Sequence, residues 1–148
     1  MKQEYIGQKI IHLSRNIERA LGKNISQYGL SNIQGRIINF VYRESPKRDI
    51  FQKDIEEKFN IRGSSVSSVL NLMESHDILK RISVAEDGRL KKIILMDKGN
   101  ELYENVYIML SDMENLLSGA LTEDEQNVLL KLLDKLSNTI DESYQSNQ

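Results

Sequence analysis

Between Glu4 and Ile25 the apolar positions Ile6, Ile10, Leu13, Ile17 and Leu21 recur at steps of three or four, which gathers them on one side of a helix. Ile11 and Ala20 widen the stripe, so this helix must bury more than one edge. The run from Tyr28 to Ser31 interrupts it, and Ser31 is suited to cap a second helix carrying Ile33, Ile37, Ile38 and Val41. That helix ends over Glu44 to Pro46, the only proline in the chain. Asp49 to Phe51 reads as a brief strand or turn, and Gln52 to Phe59 as a short helix. Within Ile61 to His76 the residues Val66, Val69, Leu70 and Met73 fall on one helical face. Ser64, Ser65, Ser67, Ser68 and Asn71 are left on the other.

The period then changes from helix to strand. Ile78 to Val84 and Leu90 to Met96 are β-prone runs joined by residues 85–89, where Asp87 and Gly88 supply a turn signal. Helical spacing returns at Asp97, which can cap a helix running to about Ser118, with Leu102, Val106, Met109, Leu110, Met113, Leu116 and Leu117 on its apolar side. Gly119 interrupts it. Thr122 and Glu125 form a capping box for a last helix, Glu123 to about Tyr144, burying Leu129, Leu132, Leu133, Leu136 and Ile140, with 145–148 frayed.

The serine face changes the picture from packing to chemistry. Serine is a middling helix former, and a plain solvated face is better held by Glu, Lys or Gln. Small hydroxyls and an amide near a helix N-terminus suit close approach to phosphates and base edges. A capped surface helix with incidental serines has equal standing until the next segment is read. That segment is a hairpin presenting Lys80, Arg81, Arg89, Lys91 and Lys92. A polar-faced helix followed at once by a basic hairpin is the layout of a winged helix-turn-helix, with the helix for a major groove and the hairpin for the adjacent minor groove.

Here the sequence resembles the MarR (multiple antibiotic resistance regulator) family of bacterial transcription factors. The residues carrying the resemblance are Gln52, Asp54 and Ile55 at the start of one helix, Ser64 to Ser67 at the start of the next, and Asp87 with Arg89 at the hairpin. Asp97 to Gly99 and Leu121 to Glu125 extend it over nearly the whole chain. Phe51 departs from the family's usual Ser or Thr cap, and Arg62 and Ser68 replace an acidic cap and an Arg. The resemblance implies a mainly α chain with a small β-hairpin wing. A winged helix-turn-helix lobe at 30–96 is flanked by dimerisation helices at 1–29 and 97–148, in a single unit spanning 1–148. It further implies a homodimer on double-stranded DNA, with the recognition helices set against an inverted repeat. A small-molecule effector pocket is implied where the dimer helices meet the lobe, for which His12, Arg15, Phe40, Tyr103 and Tyr107 are the candidates.

The DNA-contact set read from the residues is Gln52, Lys53, Arg62, Ser64, Ser65, Ser67, Ser68, Asn71, Asp87, Arg89 and Lys91. In it Arg89 enters the minor groove, Asp87 orients Arg89, and Lys80, Lys91 and Lys92 supply salt-sensitive affinity for phosphates. The net charge of −2 runs against a nucleic-acid partner until it is divided along the chain. Residues 1–46 hold seven Lys/Arg against three Asp/Glu, 47–96 hold ten against eight, and the remainder three against eleven. A basic front and an acidic rear focus a polyanion on one end.

At 148 residues the chain is long enough for one domain or a small domain with helical extensions. It has no cysteine, so disulfides and thiolate sites are excluded. No apolar run approaches a membrane span or signal peptide, and a soluble cytoplasmic protein is expected. No enzyme and no cofactor are expected. Ser68 lies eight residues before His76, roughly 12 Å along a helix, beyond the reach of a nucleophile and base. The competing reading is a winged-helix module that docks on another protein and does not engage DNA productively.

Overall fold

The computed structural model describes residues 3–84 and 87–146. The fold is mainly helical with a two-stranded antiparallel wing: α1 (Ile6–Ile25), α2 (Asn32–Glu44), α3 (Gln52–Phe59), α4 (Gly63–Ser75), β1 (Leu79–Val84), β2 (Asp87–Leu95), α5 (Asp97–Gly119) and α6 (Glu123–Gln145). A 3-10 turn, Ser26–Tyr28, follows α1 and closes on Gly29 in the left-handed region at φ 70°. The chain divides into two compact units, 1–110 and 111–148.

In the first unit, α2 begins where Ser31 and Gln34 cap each other: the Gln34 N–H donates to Ser31 Oγ (3.4 Å) and the Ser31 N–H to Gln34 Oε1 (2.9 Å). Glu18 ties α1 to α2, accepting from Asn32 Nδ2 on both its backbone and carboxylate oxygens (2.7 Å each) and pairing with Arg36 Nη2 at 2.7 Å. The core beneath is aliphatic. Ile37, Ile38 and Val41 of α2, Ile55 of α3, and Leu70 and Met73 of α4 are fully buried, joined by Ile50, Val106 and, from the wing, Leu79 and Ile93. These are the positions that the helical and strand periods mark as inward.

Two helix ends use non-glycine residues in the left-handed region. Asn60 (φ 52°) follows α3 and Asp77 (φ 59°) follows α4. At Asp77 the N–H of Ile78 donates to Met73 O (3.0 Å) and that of Asp77 to Glu74 O (3.1 Å), the paired closure that satisfies orphan carbonyls at a helix end. This turns the chain directly into β1. The Ile78 carbonyl then accepts from Met96 N–H (2.9 Å), and Gly99 of α5 packs on it so closely that a Cβ there would lie 2.3 Å from that oxygen. Asp97 is the first residue of α5, not the residue before it.

The wing differs from expectation at its tip. Asp87 and Gly88, read from sequence as the turn, lie within β2, and Asp87 pairs with Val84. Ser83 pairs with Lys91, so Gly88, Arg89 and Leu90 sit between successive ladder positions. A Gly following Asp is a good turn signal, yet it also suits the irregular backbone of a bulged strand. The Asp87 side chain lies outside the described residues.

The second unit holds the end of α5 and all of α6. Thr122 and Glu125 cap each other as the sequence predicts, with Thr122 N–H to Glu125 Oε1 at 2.9 Å and Glu125 N–H to Thr122 Oγ1 at 3.2 Å. No described residue of α6 is buried, and Val128, Leu129, Leu130, Leu132, Leu133, Leu136 and Ile140 all face outward.

Candidate nucleic-acid interface

The site is built on the joint between α3 and α4. Phe51 has no side-chain acceptor for the Asp54 N–H, which donates to the Phe51 carbonyl instead (3.0 Å), while the Asp54 carboxylate accepts from the Phe51 N–H (2.8 Å). Arg48 Nη1 pairs with that carboxylate at 3.0 Å and fixes it. Gln52, one residue in, donates from Nε2 to Gly63 O (3.1 Å) and to Ser67 Oγ (2.9 Å). The start of α3 is thereby pinned to the first turns of α4. Gln52 and Ser67 are both half-buried and serve the joint itself.

The face of α4 is divided by these contacts. Ser64, Ser65, Ser68 and Asn71 are exposed, and Ser68 Oγ donates to its own helix at Ser64 O (3.1 Å). Arg62 stands exposed immediately before α4, in extended backbone and with no capping bond from its side chain. Asn71 Oδ1 accepts from Arg81 Nη2 at 2.5 Å, while Arg81 Nε donates to Glu74 Oε2 at 2.8 Å. Strand β1 is therefore bolted to α4 through one guanidinium. Arg81 was read from sequence only as one of the wing's cations; no spacing rule joins it to Asn71, because the closure at Asp77 decides that they meet.

The other strand is bolted to the residues that lead into α3. Ile93 N–H donates to Ile50 O at 2.7 Å, Phe51 bridges to Lys92, and Lys92 Nζ lies 3.8 Å from Asp49. Between the start of α3 and the wing lies a hollow of about 250 Å³ lined by Phe51, Gln52, Lys53, Arg81, Arg89, Leu90 and Lys91. Four cations and no acid among these side chains give it a strongly positive lining. It brings Gln52, Lys53, Arg89 and Lys91 together beside the serine face. Lys80 is exposed on β1.

The effector candidates are not gathered in one hollow. Phe40 meets Phe59 edge-on with centroids 5.9 Å apart, in a recess of about 310 Å³ shared with Arg36, Asn39, Arg43, Glu44, Lys47 and Lys58. Tyr103 stacks on Tyr42 (3.6 Å) and Tyr107 (5.8 Å). Burial pushes the Tyr103 phenol above its ordinary pKa, against the opposing pull of Arg43. His12 lines a separate surface hollow with residues 3–5, Gln8 and Lys9, and Arg15 is exposed on α1. Among the described residues no cluster of three His, Cys, Asp or Glu is placed to hold a metal, and no helix is long and apolar enough to cross a membrane.

Residues 28–90 match the model of the MarR family, which bears out the family reading of the sequence. The chain is 22% identical over 133 residues to the uncharacterized HTH-type transcriptional regulator YdgJ of Bacillus subtilis (strain 168), covering 89% of this chain and 79% of that protein. Its fold is similar to that of MepR from S. aureus in complex with DNA, at a TM-score of 0.85 and 22% identity, covering 93% and 99% of the two chains. It is similar also to the transcription regulator MarR from Oenococcus oeni PSU-1, at 0.80 and 23%, covering 90% and 99%. These likenesses show the winged-helix fold.

Proposed function

We propose, for a chain that is MarR-type across residues 28–90 and in its fold, that it is a cytoplasmic DNA-binding transcriptional regulator. The observation that carries this reading is the basic hollow between α3 and the wing, set directly beside an exposed helix face of hydroxyls and an amide. In that arrangement Lys53, Lys91 and Arg89 take the phosphate backbone and the neighbouring minor groove. Ser64, Ser65, Ser68 and Asn71 meet base edges in the major groove, with Arg62 on a phosphate or guanine at the entry of the helix. Gln52 and Ser67 act through the joint they hold. Asp87 keeps its proposed part in orienting Arg89.

The protein works as a homodimer in this proposal. The apolar stripes left outward on α1 and α6 supply the contact surface, and the two recognition helices meet an inverted-repeat operator at about one helical turn of spacing. The domain assignment follows: a lobe at 30–96, and dimerisation helices at 1–29 and 97–148. Regulation is repression relieved by a small molecule, which acts by binding one lobe spacing more tightly than the other. His12, Arg15, Phe40, Tyr103 and Tyr107 remain the candidates for its pocket, completed by the second copy.

Fluorescence anisotropy on the promoter region upstream of the protein's own gene tests the reading. Binding that resists competitor duplex, weakens steeply with salt and drops by about tenfold or more in Arg89→Ala is the expected result. Indifference to duplex of any sequence at low salt would overturn it in favour of a protein partner.

A further inference from the structure

The geometry assigns to Arg81 the role of setting which bases Asn71 can read, an assignment that rests on the DNA-binding reading above. Guanidinium nitrogens only donate, so the Asn71 atom facing Arg81 Nη2 is the carbonyl oxygen, and the contact itself fixes the orientation of the amide. Glu74 holds the same guanidinium from its Nε side, and the Arg81 backbone is locked in the ladder opposite Ile93. The cation therefore cannot follow Asn71 if its side chain swings. One lone pair of the Asn71 oxygen is thus taken and the oxygen is turned toward the wing, so the NH2 is the end of the amide that points away from it.

That group stands on an exposed stripe with Ser64 and Ser68, at steps of four and three along α4. An asparagine free at both ends pairs with adenine by accepting from N6 and donating to N7. With its oxygen turned toward the wing, Asn71 has its NH2 as the group aimed away from Arg81, and those donors suit the acceptors of guanine (N7 and O6) or the O4 of thymine. Arg81 thus acts at the base edge without touching it: it is a positioning residue that removes adenine from the bases Asn71 can pair with on both edges.

Selection from a duplex library randomised across the bound site, using the full chain, tests this. Asn71→Ala first identifies the base position by loss of preference there. At that position the unmodified protein selects guanine or thymine over adenine, and Arg81→Met, which keeps the stem and removes the donors, raises adenine relative to the others by about tenfold. The double variant Arg81→Met with Asn71→Ala matches Asn71→Ala alone. Asn71→Asp, which keeps an oxygen for Arg81 and loses the donor, moves the preference to cytosine, whose N4 donates. Uniform weakening on all sequences in Arg81→Met, adenine selected by the unmodified protein at that position, or no position responding to Asn71→Ala would each overturn the assignment. Failure of the unmodified protein to select any sequence removes the DNA-binding reading itself, whereas selection with an unaltered base at that position removes only the part given to Arg81.

Discussion

Helices α4 and α6 have similar one-sided apolar patterns and opposite fates. In α4, Val66, Leu70 and Met73 are buried to within 1% of completely, against residues of α2, α3 and the wing. In α6, Leu129, Leu132, Leu133 and Leu136 repeat at the same steps and keep 42%, 52%, 37% and 37% of their surface. Periodicity tells which side of a helix is to be covered but not by which chain. The difference lies in what packs on each: α4 is closed at Asp77 and runs at once into a strand that folds back on it, whereas no described residue of α6 is buried.

The largest effect expected from breaking this comparison is on α6. Replacing Leu132 and Leu136 together by Glu places charges where two leucines would each contribute about 1.5–3 kcal/mol on burial, so the dissociation constant of the proposed dimer is expected to rise by more than about 100-fold. Sedimentation velocity at micromolar concentration reads it, and an unchanged mass in the variant would remove α6 from the interface. Leu70→Ala is next, at about 2–5 kcal/mol of unfolding free energy in urea titrations, because the site is closed on every side and cannot collapse. A loss under 1 kcal/mol would mean that the lobe's core is looser than its burial shows.

The smallest effect sharpens the start of α6. Hydrogen bonds from the Thr122 backbone and then its hydroxyl hold the Glu125 carboxyl below its ordinary pKa of 4.5. A depressed value means that the carboxylate's contribution is present above the ordinary range and is lost as the pH falls through the folded value. The Thr122 amide resonance should titrate over that acid range and stop doing so in Glu125→Gln. Titration surviving the substitution would place the proton elsewhere.

Much of the lobe was legible. The start of α2 at Asn32 follows from Ser31, the span of α3 from its short apolar pattern, and the start of α6 from Thr122, since each rests on contacts within four residues. What stayed hidden depends on residues far apart in sequence. The Asn71 to Arg81 contact needs the turn at Asp77, and the bonds from Gln52 to Gly63 and Ser67 need the α3–α4 angle. Arg89 was placed near the tip correctly, but the bulge that carries it is a register shift, and a turn signal two residues away concealed it. The bond from the Phe51 N–H to Asp54 follows the ordinary capping-box spacing, in which the residue three positions on reaches back to the N-cap amide whether or not the cap itself carries a hydroxyl.

The bond from Ile93 to Ile50, together with the bonds of Arg81 to Asn71 and Glu74, has a consequence for association kinetics. Strand β1 is fastened to α4 and β2 to the segment that leads into α3, so the paired part of the hairpin moves with that joint as one body. The conformational entropy of holding Arg81 and Lys92 against the joint is lost when the chain folds and need not be lost again on each encounter. A surface ordered in advance docks by rigid collision, so its on-rate is set by steering and orientation, with no slow ordering step after contact.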